Sequence, residues 1–158
     1  MTQQTPATQF LKAQGVSFTS KSYIYAPTKG HIGEQAAEAI GAKADMVFKT
    51  LVIKLDGQHG AFAVIPVEKH VDFKILATVL GAQKAKMMQP SEAQSRTGFV
   101  SGGTTIFGSR QIMPVVIDET AFSNPKIWIN GGAQGFLLCL DPHDALQITN
   151  AIKAPIAI

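Results

Sequence analysis

The apolar positions of this chain fall in short blocks, and the densest reads Met46-Val47-Phe48-Lys49-Thr50-Leu51-Val52-Ile53. A run this rich in β-branched and apolar residues predicts a buried strand reaching Leu55. Lys49 interrupts it. A charged amine in a core strand costs several kcal/mol of desolvation unless water, a partner or a ligand meets it. Two readings stay open. Either the strand has one wet face and Lys49 snorkels from it, or Lys49 points into a pocket and meets an anion, a carbonyl or a sugar–phosphate end.

The blocks on either side predict further elements. Ala7 to Gln14 reads as a helix, with Thr5 as N-cap, Pro6 at the first position and Gly15 closing the end; Phe10 and Leu11 face the core. Val16 to Tyr25 alternates like a strand. Pro27, Gly30 and His31 form a loop. Gly33 to Ile40 reads as a helix that packs through Ala36, Ala37 and Ile40 and stops at Gly41. Asp56-Gly57 opens a turn, and Ala61 to Val67 returns as the second strand of a hairpin.

Beyond the hairpin, Asp72 to Leu80 has helical spacing and ends at Gly81. Lys84 to Met88 reads as a short strand and Ser91 to Thr97 as a short helix. Residues 98–108 are rich in glycine. Ile112 to Asp118 reads as a strand interrupted by Pro114, which places it at a sheet edge. Lys126 to Asn130 and Gly135 to Leu140 are two more strands around a Gly131-Gly132 turn. Asp141 caps, and Pro142 begins, a last helix running to about Ile152. Helices and strands without strict alternation, with hairpin-like neighbours, predict an α/β chain of the α+β type: a mixed, largely antiparallel sheet with helices around it.

Composition narrows this picture. The 158 residues suit a single domain with a real core, taken as 1–158. Apolar residues make up 46% and charged residues 16%, which excludes a disordered segment. No apolar run is long enough to span a membrane, and the polar opening lacks the form of a secretory leader. One cysteine, Cys139, forms no internal disulfide, so a cytoplasmic location is expected. Its leucine neighbours predict a buried, inert thiol. The net charge of +3 permits a nucleic-acid partner without demanding one. Arg96 and Arg110 are the only arginines, so any such contact is local.

The common catalytic signatures are missing: no HExxH, CxxC, GxSxG or P-loop. His31, His59, His70 and His143 show no metal-ligand spacing, so neither a metal nor a cofactor is expected. His59 and His143 are read as surface residues and Asp141 as a cap. What remains is one strand lysine and two glycine-rich loops, whose backbones can approach a ligand closely and offer amide donors.

At these residues the chain resembles the YbaK-type aminoacyl-tRNA deacylases, relatives of the editing domain inserted in bacterial prolyl-tRNA synthetases. Phe48-Lys49-Thr50-Leu51 resembles the family's [FY]-K-T-L strand. Thr97-Gly98-Phe99-Val100-Ser101-Gly102-Gly103 with Phe107-Gly108 is similar to its T-G-[YF]-x-x-G-G-x-x-P-[LF]-G motif. Trp128-Ile129-Asn130-Gly131-Gly132 is similar to its [YF]-V-S-G-G. The three motifs recur in order and spacing over nearly the whole chain.

The resemblance implies a compact, barrel-like mixed sheet ringed by helices. It implies hydrolysis of the ester between a mischarged small amino acid and the 3′ end of a tRNA, Cys-tRNA(Pro) first among candidates. Lys49 would bind and orient the acylated end. Gly102 and Gly103 would steady the ester oxygen as negative charge develops. Tyr23, Ile32, Thr50, Ser101, Asn130, Gly131 and Gly132 would shape the substrate site. Water, or a group of the substrate itself, would attack. The implied partners are the acceptor end of a mischarged tRNA and, as a candidate, prolyl-tRNA synthetase, with no membrane and no DNA.

Ile32, Thr105-Ile106, Asn130, Ala133-Gln134 and Leu137 depart from the cysteinyl-tRNA(Pro) deacylase pattern and are expected to shape the amino-acid pocket and its rim. Two alternatives stand beside hydrolysis of acylated tRNA: a non-catalytic module that grips tRNA ends or a synthetase, and a hydrolase of free small esters or nucleotides.

Overall fold

A computed structural model describes residues 3–27 and 32–158. Gly30 and His31 of the expected loop lie outside the described residues. The chain opens with α1 (Pro6–Ala13), and its start is the one expected. Thr5 Oγ1 accepts from the Thr8 N–H, and Thr8 Oγ1 accepts from the Thr5 N–H at 2.9 Å, a reciprocal cap. Thr5 Oγ1 also donates to the Gly131 carbonyl, tying the helix to a distant turn. Leu11 is fully buried, and Phe10 stacks on Phe107 with ring centroids 6.5 Å apart.

There follow β1 (Thr19–Ser22), α2 (Ile32–Ile40), β2 (Phe48–Leu55) and β3 (His59–Pro66). Next come α3 (Phe73–Val79), β4 (Ala85–Met87), α4 (Pro90–Thr97), β5 (Val115–Asp118), β6 (Ile127–Asn130), β7 (Phe136–Leu140), α5 (Pro142–Thr149) and β8 (Ile152–Ala154). The β2–β3 hairpin runs in register from Phe48 opposite Pro66 to Leu55 opposite His59. Asp56 and Gly57 both take positive φ in its turn, as the tight hairpin turns that match strand twist require.

The strands divide into two sheets. One has the order β1-β7-β6 and is antiparallel; the other has the order β4-β2-β3-β5-β8. A single parallel bridge, Val47 to Trp128, joins them. The mixed and largely antiparallel character matches the expectation, because only the β3–β5 and β5–β8 pairings are parallel. Closure into a barrel is not among the pairings of the described residues.

Several boundaries differ from the sequence reading. β5 is not an edge strand, since it sits between β3 and β8. Pro114 lies just before it, so its missing N–H removes no ladder bond, while its carbonyl accepts from Phe62 N–H at 2.8 Å. The last helix stops at Thr149, because Asn150 turns left-handed at φ 56, and Ile152–Ala154 then adds to the sheet edge. The strand expected over Val16–Tyr25 shortens to Thr19–Ser22. The α4 cap falls on Gln89, with Pro90 rather than Ser91 opening the helix.

The packing is dense on both faces of the central hairpin. Phe48, Val52, Phe62 and Val64 meet Phe107, Phe136 and the inner residues of β6 and β7 on one side. Ile53, Leu55, Ala61 and Ile65 meet Leu76 of α3 and Ile156 on the other. Ala36, Ala37 and Ile40 of α2 close a smaller cluster with Val47, Val67 and Leu137, as expected of that helix. Each fully buried phenylalanine or isoleucine contributes about 1.5–3 kcal/mol, so β2 and its neighbours form a stiff frame.

Candidate active site

β3 covers one edge of β2 along its whole length, but the other edge is covered only at its ends. β4 pairs with Ile53 to Leu55 alone, and among the described residues β6 is bridged to this edge only at Val47, just before β2. The edge between them faces a cavity of about 320 Å³. Met87 and Met88 border it on the β4 side, and Asn130 and Leu137 on the β6–β7 side. Pro90, Ala93 and Gln94 of α4, with Ile32, Gly33 and Ala36 of α2, wall it from the helices.

The ladder fixes what β2 presents there. Met88 N–H donates to the Val52 carbonyl at 3.0 Å, so the even-numbered residues of β2 turn their main chain toward this edge. The N–H and C=O of Thr50 therefore face the gap. Thr50 is 8% exposed, and its Oγ1 has no hydrogen-bond partner among the described residues.

Lys49 lines the same cavity, half-buried, on the opposite face of β2 from Phe48 and Thr50. Burial pushes its ammonium below the ordinary lysine range, and the carboxylate of Glu34, in the first turn of α2, pulls part of the way back. The result is a cation kept next to a pocket in a site that disfavours charge. Tyr23 is also at the cavity, and its phenol is pushed up by burial first and by Tyr25 second. Its N–H donates to the Gly135 carbonyl at 2.8 Å, which anchors it beside the start of β7.

The glycine-rich loop forms the remaining wall through Phe99, Ser101, Gly102 and Thr104. Gly98 ends α4 in the left-handed conformation, and Val100 to Gly103 then turn tightly. Gly102 occupies the third position of that turn at φ +89, where a side chain is strained. The Gly103 N–H is used inside the turn, donating to the Val100 carbonyl at 3.0 Å, and Gln134 Nε2 donates to the Ser101 carbonyl at 2.8 Å. The Gly102 N–H has no backbone partner among the described residues.

The structure thus brings Lys49, Gly102, Tyr23, Ile32, Thr50, Ser101 and Asn130 to one cavity. Gly103, Gly131 and Gly132 do not line it. Gly103 lies against the backbone of Ala133 and Gln134. The Gly131 N–H donates to the Phe136 carbonyl at 2.9 Å, and Gly132 packs against Thr5 and Phe99. Of the positions that depart from the deacylase pattern, Ile32, Asn130 and Leu137 line the cavity, whereas Thr105 and Ile106 are buried in the frame. Sequence reasoning missed Gln94, Met88 and Tyr25. The spacing of Pro90, Ala93 and Gln94 on one helical face was the available signal for the first.

His143 and Asp141 stand apart from this cavity, with Asp141 capping α5 as expected. Cys139 is buried, and burial pushes its thiol up. No cluster of His, Cys, Asp or Glu suited to a metal occurs among the described residues, and no helix there is long and apolar enough to cross a membrane.

Comparison with known proteins follows the same residues. The aminoacyl-tRNA editing domain family matches residues 27–148. A protein of Enterococcus faecalis assigned as a Cys-tRNA(Pro)/Cys-tRNA(Cys) deacylase, EbsC, is 30% identical over 155 residues, covering 98% of this chain and 93% of the relative. The uncharacterized protein YwhH of Bacillus subtilis is 32% identical over 116 residues, 73% of each chain. A crystal structure assigned as a trans-editing enzyme for prolyl-tRNA synthetase superposes with a TM-score of 0.81 at 22% identity, covering 97% of this chain and 95% of the other. That of hypothetical protein APE2540 superposes with a TM-score of 0.87 at 20% identity, covering 97% and 99%. The structural likenesses speak for the fold, and the sequence matches extend over the strand lysine and the glycine loop alike. The chain belongs to the aminoacyl-tRNA editing domain family, in its YbaK-type deacylase branch.

Proposed function

We propose that this protein hydrolyses, in trans, the ester joining a mischarged small amino acid to the 3′ end of a tRNA, with Cys-tRNA(Pro) the first candidate substrate. The observation that supports this reading is that Lys49 and Gly102, whose N–H has no backbone partner among the described residues, line one cavity of about 320 Å³. That volume lies at the small end of ligand sites and suits an aminoacyl group better than a large aromatic side chain with its nucleoside.

Each group has a role in the proposed mechanism. The Lys49 ammonium holds the acylated ribose or its phosphate in reach, and half-burial strengthens that attraction over what water would allow. The Gly102 N–H donates to the ester oxygen as it gains charge on attack. The main chain of Thr50, on the uncovered edge of β2, supplies a fixed donor and acceptor for the bound group. In this mechanism the attacking group is water or a group of the substrate itself. For water as the attacker, a new bond forms from its oxygen to the ester carbonyl carbon and the acyl C–O bond to the ribose breaks; the amino acid departs with a free carboxylate, and the ribose oxygen leaves and takes up a proton from the attacking water. Positioning and electrostatics carry the rate.

The carrier tRNA(Pro), a cytoplasmic setting and an association with prolyl-tRNA synthetase belong to this proposal. They rest on the names of the relatives and on the motifs. The test is deacylation of tRNA(Pro) carrying cysteine by wild type and by Lys49→Ala. Lysine-dependent release supports the reading. Binding without turnover would favour the non-catalytic module. Equal activity on free amino-acid esters would favour a general esterase.

A further inference from the structure

The surface around two elements that wall the cavity also carries the chain's excess positive charge. Met87 and Met88 close β4 and Pro90, Ala93 and Gln94 belong to α4; all five line the cavity. On the adjoining surface Lys54 of β2 stands directly opposite Lys86 of β4 in the ladder. Like charges in that relation repel, and only one of the two is compensated. Glu92 of α4 accepts from Lys54 Nζ at 2.7 Å and from Arg96 at 2.5 Å. No ion pair links Lys84 or Lys86 to a carboxylate among the described residues, and both are exposed. Arg96 is fixed further by donating to the Gln58 carbonyl at 3.0 Å, and Arg110 by donating to the Ser95 carbonyl at 3.2 Å.

Five of the chain's 14 cationic side chains therefore gather here (Lys54, Lys84, Lys86, Arg96 and Arg110) against two of its 11 carboxylates, Asp56 and Glu92. The rest of the chain is balanced, so the +3 net charge resides on this face. The alternation of β4 puts Lys84 and Lys86 on the same side of the strand as Met88, one of the residues that line the cavity. At about 3.3 Å per residue, Lys86 lies about 7 Å and Lys84 about 13 Å along the strand from Met88.

Building on the hydrolysis of acylated tRNA, we infer that the β4–α4 surface is the track along which the single-stranded acceptor end of the tRNA leaves the cavity. Lys86 and Lys84 contact successive backbone phosphates, and Lys54 and Arg96 form the inner bank. A row of cations leading away from a pocket that takes a chain end is what a phosphodiester backbone needs for register.

The test uses the full chain with the double variant Lys84→Glu/Lys86→Glu, and with Lys84→Ala/Lys86→Ala should the reversal not fold. A control, Lys12→Glu/Lys126→Glu, makes the same charge change elsewhere. The first readout is anisotropy with an uncharged RNA minihelix ending in CCA, across a salt series. We expect affinity to fall at least about tenfold in the β4 variants, with the control close to wild type. The salt slope should shrink by about 0.7 for each phosphate that no longer meets a lysine. The second readout is hydrolysis of an aminoacylated CCA-ending minihelix beside a 3′-aminoacyl adenosine, which has no backbone phosphate to meet either lysine. The variants should raise KM on the former and leave the latter unchanged. Wild-type affinity and salt slope in both β4 variants, or equal loss in the control, would overturn the track. Wild-type protein that binds along β4 yet hydrolyses nothing would instead overturn the proposed activity and leave the track standing.

Discussion

The ring of Tyr25 lies against Gly102, so that a Cβ built on Gly102 would fall 2.7 Å from the ring's Cζ and nearer still to its hydroxyl oxygen. The tyrosine thus packs on the turn that carries Gly102 to the cavity wall, although it does not line the cavity itself. Gly102→Ala combines this collision with a side chain at φ +89, and is expected to cost about 2 kcal/mol or more in urea unfolding. Deacylation should fall further than stability does. Tyr25→Phe removes only the hydroxyl and leaves the ring carbons in the way, so Gly102→Ala/Tyr25→Phe should remain inactive. Recovery of full activity in that double variant would show that the turn's geometry is dispensable.

Lys49 sets function against stability. Its folded pKa is lowered, chiefly by burial, so folding disfavours the charged form relative to the unfolded chain. The unfolded chain holds more protons than the folded one between that lowered pKa and the ordinary 10.5. The Lys49 contribution to stability therefore rises with pH across that window. Lys49→Met is expected to unfold at higher urea than wild type at pH 7 while losing about 10²-fold or more in kcat/KM. For wild type, the enzymic rate above the spontaneous background should decline as pH rises through a value below that of an exposed lysine. A flat profile up to about pH 10, near the titration of an ordinary lysine, would remove the ammonium from the mechanism.

Asp118 holds the segment after β8 to the central sheet. It is 2% exposed, and its carboxylate accepts from the N–H groups of Ile156 and Ala157 at 2.9 Å each, as well as from Thr120. Asp118→Ala leaves those buried donors unpaired, and the expected cost is about 3 kcal/mol in urea unfolding. Activity in the folded fraction should persist, because Asp118 is not among the residues lining the cavity.

Cys139 should stay inert. With the thiol buried and its pKa raised, iodoacetamide is expected to label it only on unfolding, at neutral pH. Cys139→Ala should retain deacylation.

The sequence carried the local rules well and the non-local ones poorly. The Thr5 cap with Pro6 behind it, the Asp56-Gly57 turn and the Asp141-Pro142 helix start depend on neighbours a few residues apart, and each was legible; the answering bond from Thr8 was not read. The interior place of β5 depends on pairing with β3 and with β8, which no local pattern around Pro114 reveals. β8 itself is three residues long and amphipathic in neither period. At the candidate site, the motifs picked out Lys49 and Gly102, and the structure places both at the cavity. What the motifs could not reveal is the gap between β4 and β6 that exposes the β2 edge. Nor could they show that the Gly103 amide is used within its own turn, since both follow from strand pairing and loop closure. Gly131 and Gly132 read alike in sequence, yet one packs under Phe136 and the other against Thr5.

The most direct test of the central claim is a deacylation panel: tRNA(Pro) charged with Cys, Ala, Ser, Thr or Pro, with wild type beside Lys49→Ala. The account predicts that wild type releases one small mischarged amino acid well above the spontaneous rate, spares Pro, and loses this activity in the folded Lys49→Ala variant. Full activity in that variant, or no ester in the panel cleaved above background, would contradict it.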